Sequence, residues 1–253
     1  MYDDICYEEP FLKEVVARVD FAASLTTLGT KIPAEVGNTA IERFPILEQR
    51  KALAQELQVS SGEIHHKREE FTEWNYHGRH REKRLVIAPD CSFVTYSQYT
   101  TYEALKDDFL SVMESLFKKY PDLRGRRLGL RFVNQIAPAG HDTIEWEDLI
   151  DEGLLGLFSH FKQMKESASR LFNIAEFKHH DDIQVKFQFG SPNPDFPATM
   201  RRPLFVLDID AYLQGLQNID EVSANLDLAH KYIQELFEQS ITEELRELMH
   251  VRK

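Results

Sequence analysis

The stretch Leu128-Gly129-Leu130-Arg131-Phe132-Val133-Asn134-Gln135-Ile136 decides how this chain is read. Its alternation is that of a strand: Leu128, Leu130, Phe132 and Asn134 share one face, and Gly129, Arg131 and Val133 share the other. Upstream, Val15-Val16-Ala17-Arg18-Val19-Asp20-Phe21 is a strand of the same kind. Each of the two opens a series in the same order: strand, helix, three strands, helix. The series run over roughly residues 11–122 and 124–250.

The first series predicts strands at Glu63–Asn75, Arg84–Ala88 and Phe93–Gln98, with turns near His77-Gly78 and Pro89-Asp90. The second predicts strands at Leu171–Lys178, Gln184–Phe189 and Pro203–Ile209, with turns at His179–Asp182 and Ser191–Pro197. Three helix starts are marked by a capping oxygen three residues before a carboxylate: Thr100 with Glu103, Asp142 with Glu145, and Asn218 with Glu221. Apolar residues then recur at threes and fours, over Leu105–Phe117, Leu149–Phe161 and Val222–Leu248. A shorter helix is expected over Ile46–Leu57, with Pro45 near its first turn. Strands joined by short turns are antiparallel neighbours. The expected fold is therefore α+β: two similar βαβββα halves, residues 1–122 and 123–253, each an antiparallel sheet with helices packed on one face. The short linker Tyr120-Pro121-Asp122-Leu123-Arg124-Gly125 makes the halves a close pair.

Composition narrows the function classes. A net charge of −12 works against a broad nucleic-acid or anionic-membrane surface and suits a basic protein partner. No run reaches the ~20 apolar residues of a membrane-spanning helix. The two cysteines, Cys6 and Cys91, form no CxxC pair, and the acidic start lacks the apolar core of a signal peptide, so a cytoplasmic protein is expected. The chain has no Walker loop, Rossmann glycine fingerprint, His-Glu-x-x-His or Gly-x-Ser-x-Gly, and no cofactor is implied.

Three groups of residues carry candidate chemistry. Asp208 and Asp210, two apart in a strand, share a face and offer two carboxylates to a divalent metal; the alternative is that they solvate the exit of that strand. Arg131, beside Asn134 and Arg127, offers a bidentate site for a carboxylate or phosphate; the favoured reading is a structural lock onto an internal acid such as Asp208. Two basic clusters stand against the acidic background, one from His77 to Arg84 with Arg79 and Arg81, the other Lys118, Lys119, Arg124, Arg126 and Arg127. With Trp74, Tyr76 and Tyr120 nearby they have the ingredients of a single-stranded nucleic-acid surface, provided that they lie on one face; the favoured reading is a solvated hairpin tip and a helix C-terminus that prefers cations. The histidines, among them His65-His66 and His179-His180, are adjacent in pairs and point apart in a strand, so no metal site is expected from them.

Several segments resemble a sporadically distributed family of uncharacterised bacterial and archaeal proteins of similar length with no agreed activity. They are Tyr7 through Phe21, Phe44-Pro45 as a helix start, Arg127–Asn134, Asp208-Ile209-Asp210-Ala211-Tyr212, and His230–Phe237 continuing through Ile241-Thr242. The resemblance implies a setting in mobile or accessory loci, including defence or toxin–antitoxin-like neighbourhoods, and supplies no catalytic residues. The leading expectation is a non-enzymatic regulatory protein acting by protein–protein contact. Behind it stand a metal-assisted phosphoesterase or nuclease using Asp208 and Asp210, and nucleic-acid binding through the basic clusters.

Overall fold

The strands of the described residues are β1 (Leu12–Phe21), β2 (Ile46–Ser60), β3 (Glu63–His77), β4 (Lys83–Ile87), β5 (Cys91–Tyr96), β6 (Gly125–Ile136), β7 (Leu171–Lys178), β8 (Gln184–Ser191) and β9 (Phe205–Gln217). The helices are α1 (Ala34–Arg43), α2 (Tyr102–Lys119), α3 (Gly156–His160), α4 (Ile219–Ser240) and α5 (Glu243–Met249). The computed structural model describes residues 5–60, 63–137, 146–161, 163, 167–193, 195–199 and 204–252, with main chain alone for 54–60 and 63–69. All nine strands belong to one sheet, in the order β2-β3-β4-β5-β1-β6-β9-β8-β7. The antiparallel sheets expected of the two halves are thus joined edge to edge in one sheet. The meanders β2-β3-β4-β5 and β7-β8-β9 are antiparallel throughout. The first half carries four strands after its first helix, and the second carries short helical turns in place of a long one, so the halves do not share a βαβββα order element for element.

The chain forms two compact units, Met1–Val15 with Gly129–Leu213 and Leu226–Lys253, and Val16–Leu128 with Gln214–Asn225. In the second of these, α2 buries Leu105, Phe109, Val112, Met113 and Leu116 and packs on β5 and α1. Their apolar stripe meets Val94 and Tyr96, which alternate inward along β5. The indole N–H of Trp74 donates to the Leu28 carbonyl at 2.6 Å, fixing the turn that leads to α1. In the other unit, Leu207, Ile209 and Ala211 of β9 and Val185 and Phe187 of β8 line one face. Phe205 sits between the rings of Trp146 (5.3 Å) and Phe158 (5.5 Å).

Several expected elements are corrected. Ile46–Leu57 is strand β2, not helix. Its residues are good helix formers, but each of the fifteen, from Ile46 to Ser60, pairs with a residue of β3, and the ladder overrides local preference. The helix lies just upstream as α1, and Phe44-Pro45 ends it: the α region is disfavoured before proline, and Phe44 leaves helical geometry at φ −132° and ψ 81°. Thr101, not Thr100, caps α2, accepting from Ala104 N at 3.2 Å. Asn218 and Glu221 form a reciprocal capping box at 2.7 and 3.0 Å, whereas the Asp142–Glu145 start lies outside the described residues.

Two further corrections share one cause. The helix expected over Leu149–Phe161 is instead a pair of 3₁₀ turns (Trp146–Asp148 and Glu152–Leu154) and the short α3. The long C-terminal helix is divided into α4 and α5. Ile150 and Ile241 form a β-bridge, and Asp151 N donates to Ser240 O at 3.0 Å, so both segments leave helical geometry at the same place. Each restarts with its own cap: Asp151 accepts from Gly153 N, and Thr242 from Leu245 N.

Gly190 tests the β7–β8 register. It sits opposite Phe172 at φ +131°, and a Cβ there would stand 2.3 Å from the Leu171 carbonyl oxygen. Gly190→Ala is expected to lower the urea midpoint by an amount worth about 2 kcal/mol or more, from backbone strain and the main-chain clash together.

Candidate functional site

Arg131 of β6 and Asp208 of β9 meet in a bidentate pair, Nε to Oδ1 at 2.7 Å and Nη2 to Oδ2 at 2.6 Å. Asp208 lies within β9, which continues to Gln217, so it does not mark the end of the strand. Its carboxylate is buried, and the Arg131 side chain is 43% exposed. The bond to Asp208 holds the guanidinium pKa up against burial, with Asp210 and Glu14 adding negative potential. Asn134 is buried, and its side-chain amide donates to Leu207 O at 3.5 Å. The lock reading of Arg131 describes this arrangement. Both Asp208 oxygens accept from Arg131, and among the described residues no group of three His, Cys, Asp or Glu is placed to hold a metal.

Two equivalent arrangements were not read from the sequence. Asp108 lies on the buried face of α2 and accepts from Lys83 Nζ, from Tyr96 Oη and from Arg43 Nη1 (3.1 Å); Arg43 also bonds Asp107 at 2.5 Å. The Lys83 ammonium stands 4.8 Å from the centre of the Phe44 ring. Glu238, at the end of α4, accepts from Tyr7 Oη at 2.8 and 3.0 Å and from Arg246 Nε at 2.9 Å. The signal for each was a charged residue on an otherwise apolar helix stripe: Asp108 between Leu105 and Phe109, Glu238 beside Phe237.

The basic clusters flank opposite ends of β4. The turn carrying Arg79 and Arg81 closes at one end of β4 through Gly78 N and Lys83 O (2.9 Å). At the other end, Phe21 N bonds Asp90 O and Ala22 N bonds Arg124 O, each at 2.8 Å, and there the second cluster begins. The length of β4, on the order of 16 Å, separates them. Arg79 is exposed, Arg81 is paired with Glu48, and Arg127 is half-buried on β6. The His77 ring is buried beside Glu48, its Nε2 3.4 Å from Oε2 without hydrogen-bond geometry, and burial pulls its pKa down. The His65 and His66 side chains lie outside what is described.

No protein-family model matches the chain, and no curated protein matches it.

Removing Arg131 strands a buried carboxylate. Arg131→Ala is expected to cost about 2–4 kcal/mol, short of the upper range for buried pairs because the guanidinium is partly in water. Adding Asp208→Leu should recover most of the loss in the same denaturation series.

The buried tyrosines set an alkaline limit. Burial, then the bond to Glu238, holds Tyr7 above the usual phenol range. Burial, then Asp108, does so for Tyr96, and burial alone pushes Tyr76 up to about 12. An unfolded tyrosine ionises near pH 10. The native state holds these protons longer, so their contribution is complete below about pH 10 and is lost as pH rises above it. In an alkaline titration, part of the phenolate absorbance of the nine tyrosines should therefore appear only together with loss of circular dichroism.

Proposed function

We propose that this chain is a non-enzymatic binding protein that acts by protein–protein contact on a basic partner. The observation that carries this reading is that the buried carboxylates, Asp108, Asp208 and Glu238, are each held by a cation of the same chain. Their charge is committed to holding elements together. The excess negative charge of the chain, −12 in all, is left to steer association with a positive surface. The resemblance to a family in accessory loci directs the first search to a basic effector encoded nearby, as in defence or toxin–antitoxin-like pairs.

The tagged chain, recovered from its source cells with and without nuclease treatment, tests this. A stoichiometric protein that survives nuclease and dissociates as salt is raised is expected. Recovery of nuclease-sensitive material alone would overturn the reading in favour of nucleic acid.

A further inference from the structure

Among the described residues, strand β7 ends the sheet order, with β8 on one side only. It reads Leu171-Phe172-Asn173-Ile174-Ala175-Glu176-Phe177-Lys178, and it leaves Ile174 59% and Phe177 46% exposed. Edge strands in proteins are blunted by proline, bulges or charges directed along the edge, because their free main-chain groups template another strand. Here charge is confined to Glu176 and Lys178, towards the end of the strand.

The register shows which groups are free. His179 N donates to Ile183 O at 2.9 Å, in the ladder that pairs Lys178 with Gln184. Antiparallel pairs alternate between bonded and non-bonded. The odd-numbered residues of β7 therefore direct their main-chain groups to β8. Phe172, Ile174, Glu176 and Lys178 direct theirs outward.

A second copy of β7 fits this edge. In an antiparallel pair of identical strands that continues the sheet, even residues must oppose even residues, so that both bonding groups and side-chain faces match. Two such registers overlap nearly the whole strand. One, centred on Ala175, sets Ile174 against Glu176 and Phe172 against Lys178. The other, centred on Ile174, sets Ile174 against its own copy and Leu171 against Phe177. It also leaves Glu176 opposite Phe172 and diagonal to Arg170, within reach of an ion pair. Only the second matches apolar to apolar on both faces and gives the acid a cation.

We infer that the chain forms a two-fold dimer through antiparallel β7–β7 pairing centred on Ile174. This inference is independent of the basic partner proposed above, and salt separates the two. Two copies of charge −12 repel, so the dimer tightens as salt rises, whereas a complex with a basic partner weakens.

Light scattering behind size exclusion, over a concentration series of the full chain, should give a mass approaching twice 29.5 kDa. Ile174→Lys places two like charges face to face on the axis and is expected to raise the dimer dissociation constant about tenfold or more. Circular dichroism should be unchanged, since the side chain is exposed. Cross-linking reads the register directly. Bonded antiparallel pairs hold their Cα atoms about 5.5 Å apart, within disulfide range. Ile174→Cys should therefore cross-link between copies under mild oxidation, while Glu176→Cys, opposite Phe172, should not exceed the background from Cys6 and Cys91. A monomer at every concentration, or Glu176→Cys cross-linking as well as Ile174→Cys, would overturn the inference.

Discussion

Burying a carboxylate costs several kcal/mol unless a cation and further hydrogen-bond donors go with it. The fold does this at Asp208 and Glu238 in one compact unit and at Asp108 in the other. Each acid joins elements distant in sequence. Asp208 ties β9 to β6 through Arg131. Glu238 ties the end of α4 to α5 through Arg246 and to the N-terminal segment through Tyr7. Asp108 ties α2 to α1, β4 and β5 through Arg43, Lys83 and Tyr96. Burial of apolar surface supplies most of the stability, and a shift of one residue in β9 would turn its buried apolar face away from that of β8. The same shift would turn Asp208 to the opposite face and leave both charges of its bidentate pair with Arg131 unpaired.

This requirement also bears on activity. A carboxylate that serves a metal or a proton transfer must have an oxygen directed at the reacting atoms. Both oxygens of Asp208 are directed at Arg131, and both oxygens of Glu238 accept from Tyr7. Binding by shape and charge asks nothing more of these groups than that they stay where they are. The phenol pKa values of Tyr7 and Tyr96 are raised first by burial and then by the buried acid to which each donates.

The sequence disclosed the strands better than the helices. β7 runs over the residues expected of it, and the meander from β3 to β5 lies within a few residues of its prediction, because alternation and short turns are local signals. The helices failed where partners distant in sequence intervened. Ile46–Leu57 has helical composition, and only the pairing with β3 makes it a strand. Ile150 and Ile241 are separated by most of the second half, and nothing local marks the bridge that breaks two helical patterns at once. Of the site residues, the Arg131–Asp208 pair was legible, because each is a charged residue with an apolar residue on either side, Leu130 and Phe132 for one and Leu207 and Ile209 for the other. Asp108 and Glu238 were hidden in helices whose apolar spacing invited no further question.

The two ends of the sheet order show how differently an edge can be managed. β2 is part of a fifteen-pair ribbon with β3, and along its described side chains charge interrupts the apolar residues: Glu48, Arg50 and Lys51 alternate with Leu47 and Leu53. Such a strand offers a passing segment main-chain bonds at the expense of desolvating charge on either face. β7 has charge only at Glu176 and Lys178, near its end, and its middle is Ile174 with apolar neighbours on both faces. The composition of β2 opposes pairing, and that of β7 favours it with a strand of like pattern. A copy of β7 is such a strand, and it needs no second gene product to supply it.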